Sequence, residues 1–149
     1  MKVLLIGGGR MGQRHLSGLA SIDASVVLVE PAEEARRACA AAFPGALVAV
    51  ASPADVDGAA RFDVAIFATT AYGRLECVEW ALPRSSALLV EKPLEQSRTR
   101  VRRLTEVVDM SGVPAWANHY RRTLPGYEDL RRAGGPFVIS VSSGGMGLG

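Results

Sequence analysis

The chain has only two cysteines, Cys39 and Cys77, among 149 residues. A disulfide framework is therefore not expected, and a four-cysteine zinc site within one chain is excluded. Excess charge of one sign is also lacking: 17 Lys and Arg face 15 Asp and Glu, a formal net charge of +2. That balance argues against nucleic acid as the main partner. Long apolar runs are missing. The run after Met1-Lys2 is Val3-Leu4-Leu5-Ile6, and glycines stop it at once. A signal peptide needs a longer apolar core and a small-residue cleavage site, and a spanning helix needs about 20 apolar residues. No membrane partner is expected, and the default compartment is the cytoplasm, with both thiols reduced. The two histidines, His15 and His119, do not make a metal site. There is no G-x-S-x-G nucleophile motif and no solenoid repeat.

What is present is a globular composition, 48% hydrophobic and 21% charged, at the length of one ordinary domain. Short apolar runs alternate with helical patterns. Lys2 to Ile6 reads as a strand buried on both faces. Met11 to Ala20 reads as a helix, and Ser25 to Glu30 as a second strand ending on an acid. Pro31 suits the first turn of a helix through Phe43. Leu47 to Val50, Asp63 to Ala68, Ala87 to Val90 and Ala115 to Asn118 are further strands. Tyr72 to Leu82 and Leu94 to Met110 are further helices. In the last helix, Leu94, Val101, Leu104, Val107 and Val108 form one apolar stripe. Arg98, Arg100, Arg102 and Arg103 fall largely off it, as a solvated face does. The pattern predicts an α/β chain with a doubly wound parallel sheet. The tail differs: Pro125 to Ala133 suits a short helix and Phe137 to Val141 a strand, followed by a glycine-rich end. A chain that starts a new apolar strand and stops in glycines looks cut short. An unpaired apolar strand in that tail invites pairing with another chain, so either a homo-oligomer through it or disorder from about Gly134 onward is expected.

Gly7-Gly8-Gly9-Arg10-Met11-Gly12 fits G-x-G-x-x-G after a buried strand and at the opening of a helix. Gly7 permits the tight turn, Gly9 lets the backbone approach a pyrophosphate, and Gly12 lets helix and strand pack closely. The N–H groups and dipole of the helix start favour phosphate. A methyltransferase using S-adenosylmethionine is the nearest rival, but it has no pyrophosphate and so no need of the third glycine. Glu30, 18 residues beyond Gly12, can accept from both ribose hydroxyls and would repel the 2′-phosphate of NADP. Arg36 and Arg37 are expected to face solvent, so NAD is favoured over NADP. The alternative for Glu30 is a helix-dipole contact.

Thr69 and Thr70 close the strand before them, where ligands of open α/β sheets lie; they suit a cofactor contact or a helix cap equally. Lys92, in Glu91-Lys92-Pro93, stands at another strand end. There a cation can stabilise a developing alkoxide or pass on a proton, unless it is a solvated loop lysine. Pro93 allows a cis Lys92–Pro93 bond. His15 suits packing or capping. His119, beside Asn118 and Tyr120, suits a pocket or the surface.

Four features together resemble the N-terminal part of the glucose–fructose oxidoreductase / inositol dehydrogenase (Gfo/Idh/MocA) family. They are Ile6 to Gly12 with His15, Glu30, Ala68-Thr69-Thr70, and Glu91-Lys92-Pro93. The resemblance implies an NAD(P)-dependent dehydrogenase or reductase acting on a sugar, cyclitol or nucleotide-sugar. It implies a catalytic or substrate-orienting role for Lys92. Arg10, Met11 and Glu91 would join the glycines, Glu30, Thr69 and Thr70 around the cofactor, and Asn118, His119 and Arg122 would serve the substrate. The chain departs from the family pattern at Ala71 and Arg74, where an Asn and a His are usual. Family members continue into a second domain that supplies an Asp and a His to acid–base chemistry, so the resemblance implies a Rossmann-type domain over 1–120, then a crossover and the truncated start of a second α+β domain over 121–149. The chain stops where that helix would begin, so on its own it is expected to bind cofactor with little turnover. The other reading is a stand-alone NAD-binding regulatory module, or a subunit completed by a partner chain.

Overall fold

In the computed structural model, which describes residues 1–119 together with Gly126, Asp129 and Arg132, the first aliphatic run forms β1 (Lys2–Ile6). Val3, Leu4 and Leu5 are wholly buried, as a strand without polar alternation requires. The chain continues through α1 (Arg10–Ala20), β2 (Ser25–Val29), α2 (Glu33–Ala42), β3 (Leu47–Val50), β4 (Val64–Phe67) and α3 (Arg74–Ala81). It then forms β5 (Leu88–Val90), α4 (Arg98–Ser111) and β6 (Ala115–Ala117), with single 3₁₀ turns at Pro53–Asp55 and Leu82–Arg84. The six strands are all parallel, in the order β3-β2-β1-β4-β5-β6.

Strand alternation divides the core between the two faces. Val3, Leu5, Val26 and Leu28 pack with Leu16 and Leu19 of α1 and with Cys39 and Phe43 at α2. Leu4, Ile6, Ala65, Phe67, Leu88 and Val90 pack with Leu75 and Val78 of α3 and Leu104 of α4. This is the Rossmann-type α/β arrangement, with two helices on each side of the sheet. Met1–Asn118 forms one compact unit and His119–Gly149 another.

The structure corrects several expected boundaries. Pro31 lies outside α2, because Ala32 in extended conformation is the N-cap and Glu33 the first helical residue. α3 starts at Arg74 rather than Tyr72, because its N-cap Gly73 has φ +70°. α4 starts at Arg98 rather than Leu94: the Ser97 hydroxyl accepts from the Arg100 amide and sets the helix start there. Leu94 still packs on the same core as Leu104. Arg122, the tail strand Phe137 to Val141 and the tail helix, apart from Gly126, Asp129 and Arg132, lie outside the described residues.

Candidate functional site

In a parallel sheet every strand points its carboxyl end to the same edge. A crevice opens where successive connections leave in opposite directions. Here that point lies between β1 and β4. The candidate residues all follow strand ends: Gly7 to Gly9 after β1, Glu30 after β2, Thr69 and Thr70 after β4, Glu91 and Lys92 after β5, and Asn118 after β6. Backbone hydrogen bonds carry the ladder past the strands and fix these loops: Gly7 N–H to Val29 O at 2.9 Å, Ala68 N–H to Ile6 O at 2.8 Å, Glu91 N–H to Phe67 O at 3.0 Å.

The glycine turn is constrained from within. Gly7 has φ +102°, and a Cβ there would lie 2.8 Å from the Ala68 carbonyl carbon. A Cβ on Gly12 would lie 2.0 Å from the Gly7 oxygen, so α1 sits on the turn more closely than any other residue permits. Gly9 is different: a Cβ there meets nothing within 4 Å. It is the N-cap of α1, it has no side-chain cap, and no acid occupies the first turn. The first N–H groups of a helix have no intrahelical acceptor. They open here onto free space bordered by Arg10, which is exposed, and Met11, which is half-buried.

Glu30 is held rather than free. Its Oε2 accepts from the Gly8 amide at 2.7 Å and its Oε1 from the Ala32 amide at 2.9 Å. Each oxygen keeps further acceptor capacity. Sequence reasoning left Gly8 out of the site. A Cβ there would lie 3.1 Å from Glu30 Cγ and 3.2 Å from Cys39 Sγ. The Cys39 thiol donates to the Gly8 carbonyl at 3.4 Å, and burial, with Glu30 adding to it, pushes this thiol up from its ordinary value. Arg36 also departs from expectation. Instead of facing solvent it donates to the Glu30 and Pro31 carbonyls, each at 2.7 Å.

Thr69 and Thr70 do not cap α3, whose N-cap is Gly73. Thr70 is exposed, and the Thr69 hydroxyl is buried with no hydrogen-bond partner in the described structure. Arg74, at the position of the expected family histidine, is 1% exposed. Its Nη1 donates to the carbonyls of Glu91 and Pro93, and its Nη2 to that of Thr69. Burial pulls this guanidinium below its ordinary value, while Glu91, Glu95 and Cys77 pull the other way.

The Glu91 carboxylate is buried, and its Oε1 accepts from His15 Nε2 at 3.0 Å and from Asn118 Nδ2. It thereby ties α1, β5 and the end of β6 together. His15 is thus a partner of Glu91 across 76 residues of sequence. Lys92 is exposed, its amino group bonded to no other described residue, and the Lys92–Pro93 peptide is cis. His119 is exposed and belongs to the other unit.

A second cluster lies at the starts of α3 and α4. Arg100 bridges Glu76 at 2.7 Å and the buried Glu95 at 3.1 Å, and the Leu75 amide donates to Glu95 at 2.8 Å. The Arg100 hydrogen bonds, with help from the Leu75 and Gln96 amides, bring the Glu95 carboxyl down to about 2. Tyr72, Gly73, Glu76, Gln96 and Arg100 line a cavity of about 290 Å³ here. It holds none of the residues expected from sequence to bind cofactor or substrate. Among the described residues no group of His, Cys, Asp and Glu is placed to hold a metal ion, and no helix is long and apolar enough to cross a membrane.

The uncapped α1 start, the open space over Gly9 and the unpartnered Thr69 hydroxyl fit a dinucleotide laid along this edge. A family model described as an oxidoreductase family with an NAD-binding Rossmann fold matches residues 1–119. The chain belongs to the Gfo/Idh/MocA oxidoreductase family. Among solved structures it is similar to myo-inositol dehydrogenase from Lactobacillus casei in complex with NAD(H) and myo-inositol. That match has TM-score 0.78 and 21% identity, covering 89% of this chain and 40% of that one. Scyllo-inositol dehydrogenase from the same organism, with bound NAD(H) and scyllo-inositol, matches with TM-score 0.75 and 17% identity over the same shares. A myo-inositol dehydrogenase from Corynebacterium glutamicum matches with TM-score 0.75 and 24% identity, again over 89% and 40%. The chain thus spans about 40% of the length of these family structures. No curated protein sequence matches it.

Proposed function

We propose that this chain is the cofactor-binding part of an oxidoreductase that uses NAD in preference to NADP. Its substrate is a sugar or cyclitol hydroxyl, or the corresponding carbonyl. The observation that carries this reading is the shared edge. The phosphate-compatible turn, Glu30, Thr69 and Lys92 stand at the ends of β1, β2, β4 and β5, which are neighbours in the sheet. The similar inositol dehydrogenases, solved with NAD(H) and cyclitols, support the substrate class.

The α1 N–H groups after Gly9 bind the pyrophosphate, with the helix dipole behind them. Glu30 accepts from the adenosine ribose hydroxyls with the lone pairs that Gly8 and Ala32 leave free. The buried Thr69 hydroxyl finds its missing partner on the nicotinamide half. Bound NAD supplies the hydride acceptor. Lys92, unpaired among the described residues, donates a hydrogen bond to the substrate oxygen and stabilises its developing negative charge while the hydroxyl proton passes to water and the carbon gives its hydride to NAD. Glu91 holds its backbone beside Lys92 by bonding His15 and Asn118.

Thermal-shift measurements with NADH, NADPH and S-adenosylmethionine test this reading. The largest stabilisation is expected with NADH. A ligand at one hundred times its dissociation constant adds roughly 2.7 kcal/mol. Stabilisation by S-adenosylmethionine alone would replace the oxidoreductase reading with a methyltransferase.

A further inference from the structure

Arg74 is a fully buried cation, and three of its acceptors are main-chain carbonyls belonging to the two loops that border the nicotinamide half of the proposed site. Glu91 and Pro93 are the residues on either side of Lys92, and both give their carbonyl to the same nitrogen, Nη1. The other terminal nitrogen, Nη2, reaches Thr69, whose hydroxyl is the unpartnered buried group at the end of β4. One planar guanidinium therefore bridges the residue two past β4 to the residues that follow β5. It also holds the backbone immediately before and after Lys92.

The alternative is a core arginine that serves the fold alone. Burying a guanidinium carries a desolvation cost that an apolar side chain of the same volume avoids. The gain specific to arginine is geometric: a rigid fork whose donors keep fixed angles to one another, which lysine cannot copy. Here the two terminal nitrogens meet loop carbonyls at the site rather than a carboxylate, and Nε has no partner in the described structure. The nearby buried acids, Glu91 and Glu95, balance its charge without bonding it.

We infer that Arg74 is a positioning residue for the nicotinamide end of the site, fixing the Thr69 and Glu91–Pro93 backbone at one spacing and thereby the place from which Lys92 works. This rests on the NAD reading above. It does not involve the adenosine end, which is held by Gly7 to Gly12 and Glu30.

The test compares two ligands that share the adenosine and pyrophosphate groups. Dissociation constants for NADH and for ADP-ribose, which lacks the nicotinamide, are measured by calorimetry on the wild-type chain and on Arg74→Lys. The fold is checked by circular dichroism and melting. The expected result is an NADH affinity reduced about tenfold, the scale of one charged hydrogen bond, with ADP-ribose affinity unchanged. Bound NADH fluorescence should move toward that of free NADH. Equal weakening of both ligands, or of neither, overturns the inference. If Arg74→Lys does not fold, Arg74→His is read in the same way, and failure of both to fold assigns Arg74 to the fold and overturns the inference too. A wild-type chain that binds neither ligand overturns the NAD reading itself, an outcome separate from any effect of the variants.

Discussion

The Gly8 amide donates to Glu30 Oε2 at 2.7 Å, so the middle of the glycine turn is bonded to the acid that closes β2. The residue proposed to choose between cofactors is also a support of the turn that binds their phosphates. With Ala32 on its other oxygen and Arg36 on its carbonyl, Glu30 is pre-set before any ligand arrives.

NADH should therefore stabilise the chain more than NADPH does. Glu30→Ala should narrow that difference and also lower the melting temperature without ligand. The second effect follows from two backbone amides losing an acceptor, at about 1 kcal/mol each. Differential scanning fluorimetry reads both. A larger shift with NADPH than with NADH in the wild type would refute the cofactor assignment.

Gly9 and Gly12 should separate binding from folding. Gly12→Ala places a methyl group 2.0 Å from the Gly7 oxygen and should destabilise the chain by about 1–3 kcal/mol, the range for overpacking. Gly9→Ala meets open space at φ −68° and should fold normally. Its methyl group would stand where phosphate approaches, so NADH affinity should fall. Urea melts and NADH titrations on the two variants check this; a stable Gly12→Ala chain would show that α1 can move off the turn.

Lys92→Ala should leave NADH affinity nearly unchanged, since the phosphates are held elsewhere. In a form of the protein with dehydrogenase activity, the rate should drop by roughly two to four powers of ten if Lys92 shares in proton transfer. Loss of NADH binding with an intact rate per bound cofactor would make Lys92 an anchor instead.

Acid should weaken the fold partly through Glu95. Its carboxyl titrates at about 2 in the folded chain against an ordinary 4.5, because the Arg100 hydrogen bonds hold it ionised. A lowered folded value means the stabilisation is complete above about pH 4.5 and fades as pH falls toward 2. Glu95→Gln should be less stable at neutral pH and should show a shallower loss over that interval. Parallel curves for the two proteins would assign acid unfolding to other carboxylates.

The sheet was legible because its signals are local. Unbroken aliphatic runs mark β1 and β2, and Leu47 to Val50 forms β3 over the very residues expected. Helix starts were less legible, because Gly73 and Ser97 override the apolar pattern by backbone conformation and capping. The glycine turn and Glu30 could be read from spacing. The bonds that hold the site could not. His15 meets Glu91 across 76 positions, and Arg74 reaches carbonyls 17 and 19 residues away. No periodicity encodes a side chain meeting a distant main-chain oxygen. Only the unusual arginine at position 74 hinted at it.

The order of synthesis runs against the order of the sheet. β1 leaves the ribosome before β2 and β4, yet it lies between them, and the amide of Lys2 bonds the carboxylate of Asp63 at 2.8 Å. The tight fit of Gly7 is against Ala68 and Thr69. A nascent chain synthesised only as far as β3 thus holds the glycine motif and the Glu30 and Val29 contacts of the turn, but not the Ala68 and Thr69 backbone against which Gly7 fits. The phosphate cradle is written in the residues after β1 but finished by those after β4, so a ligand that needs the finished cradle can assist folding only after β4 has emerged.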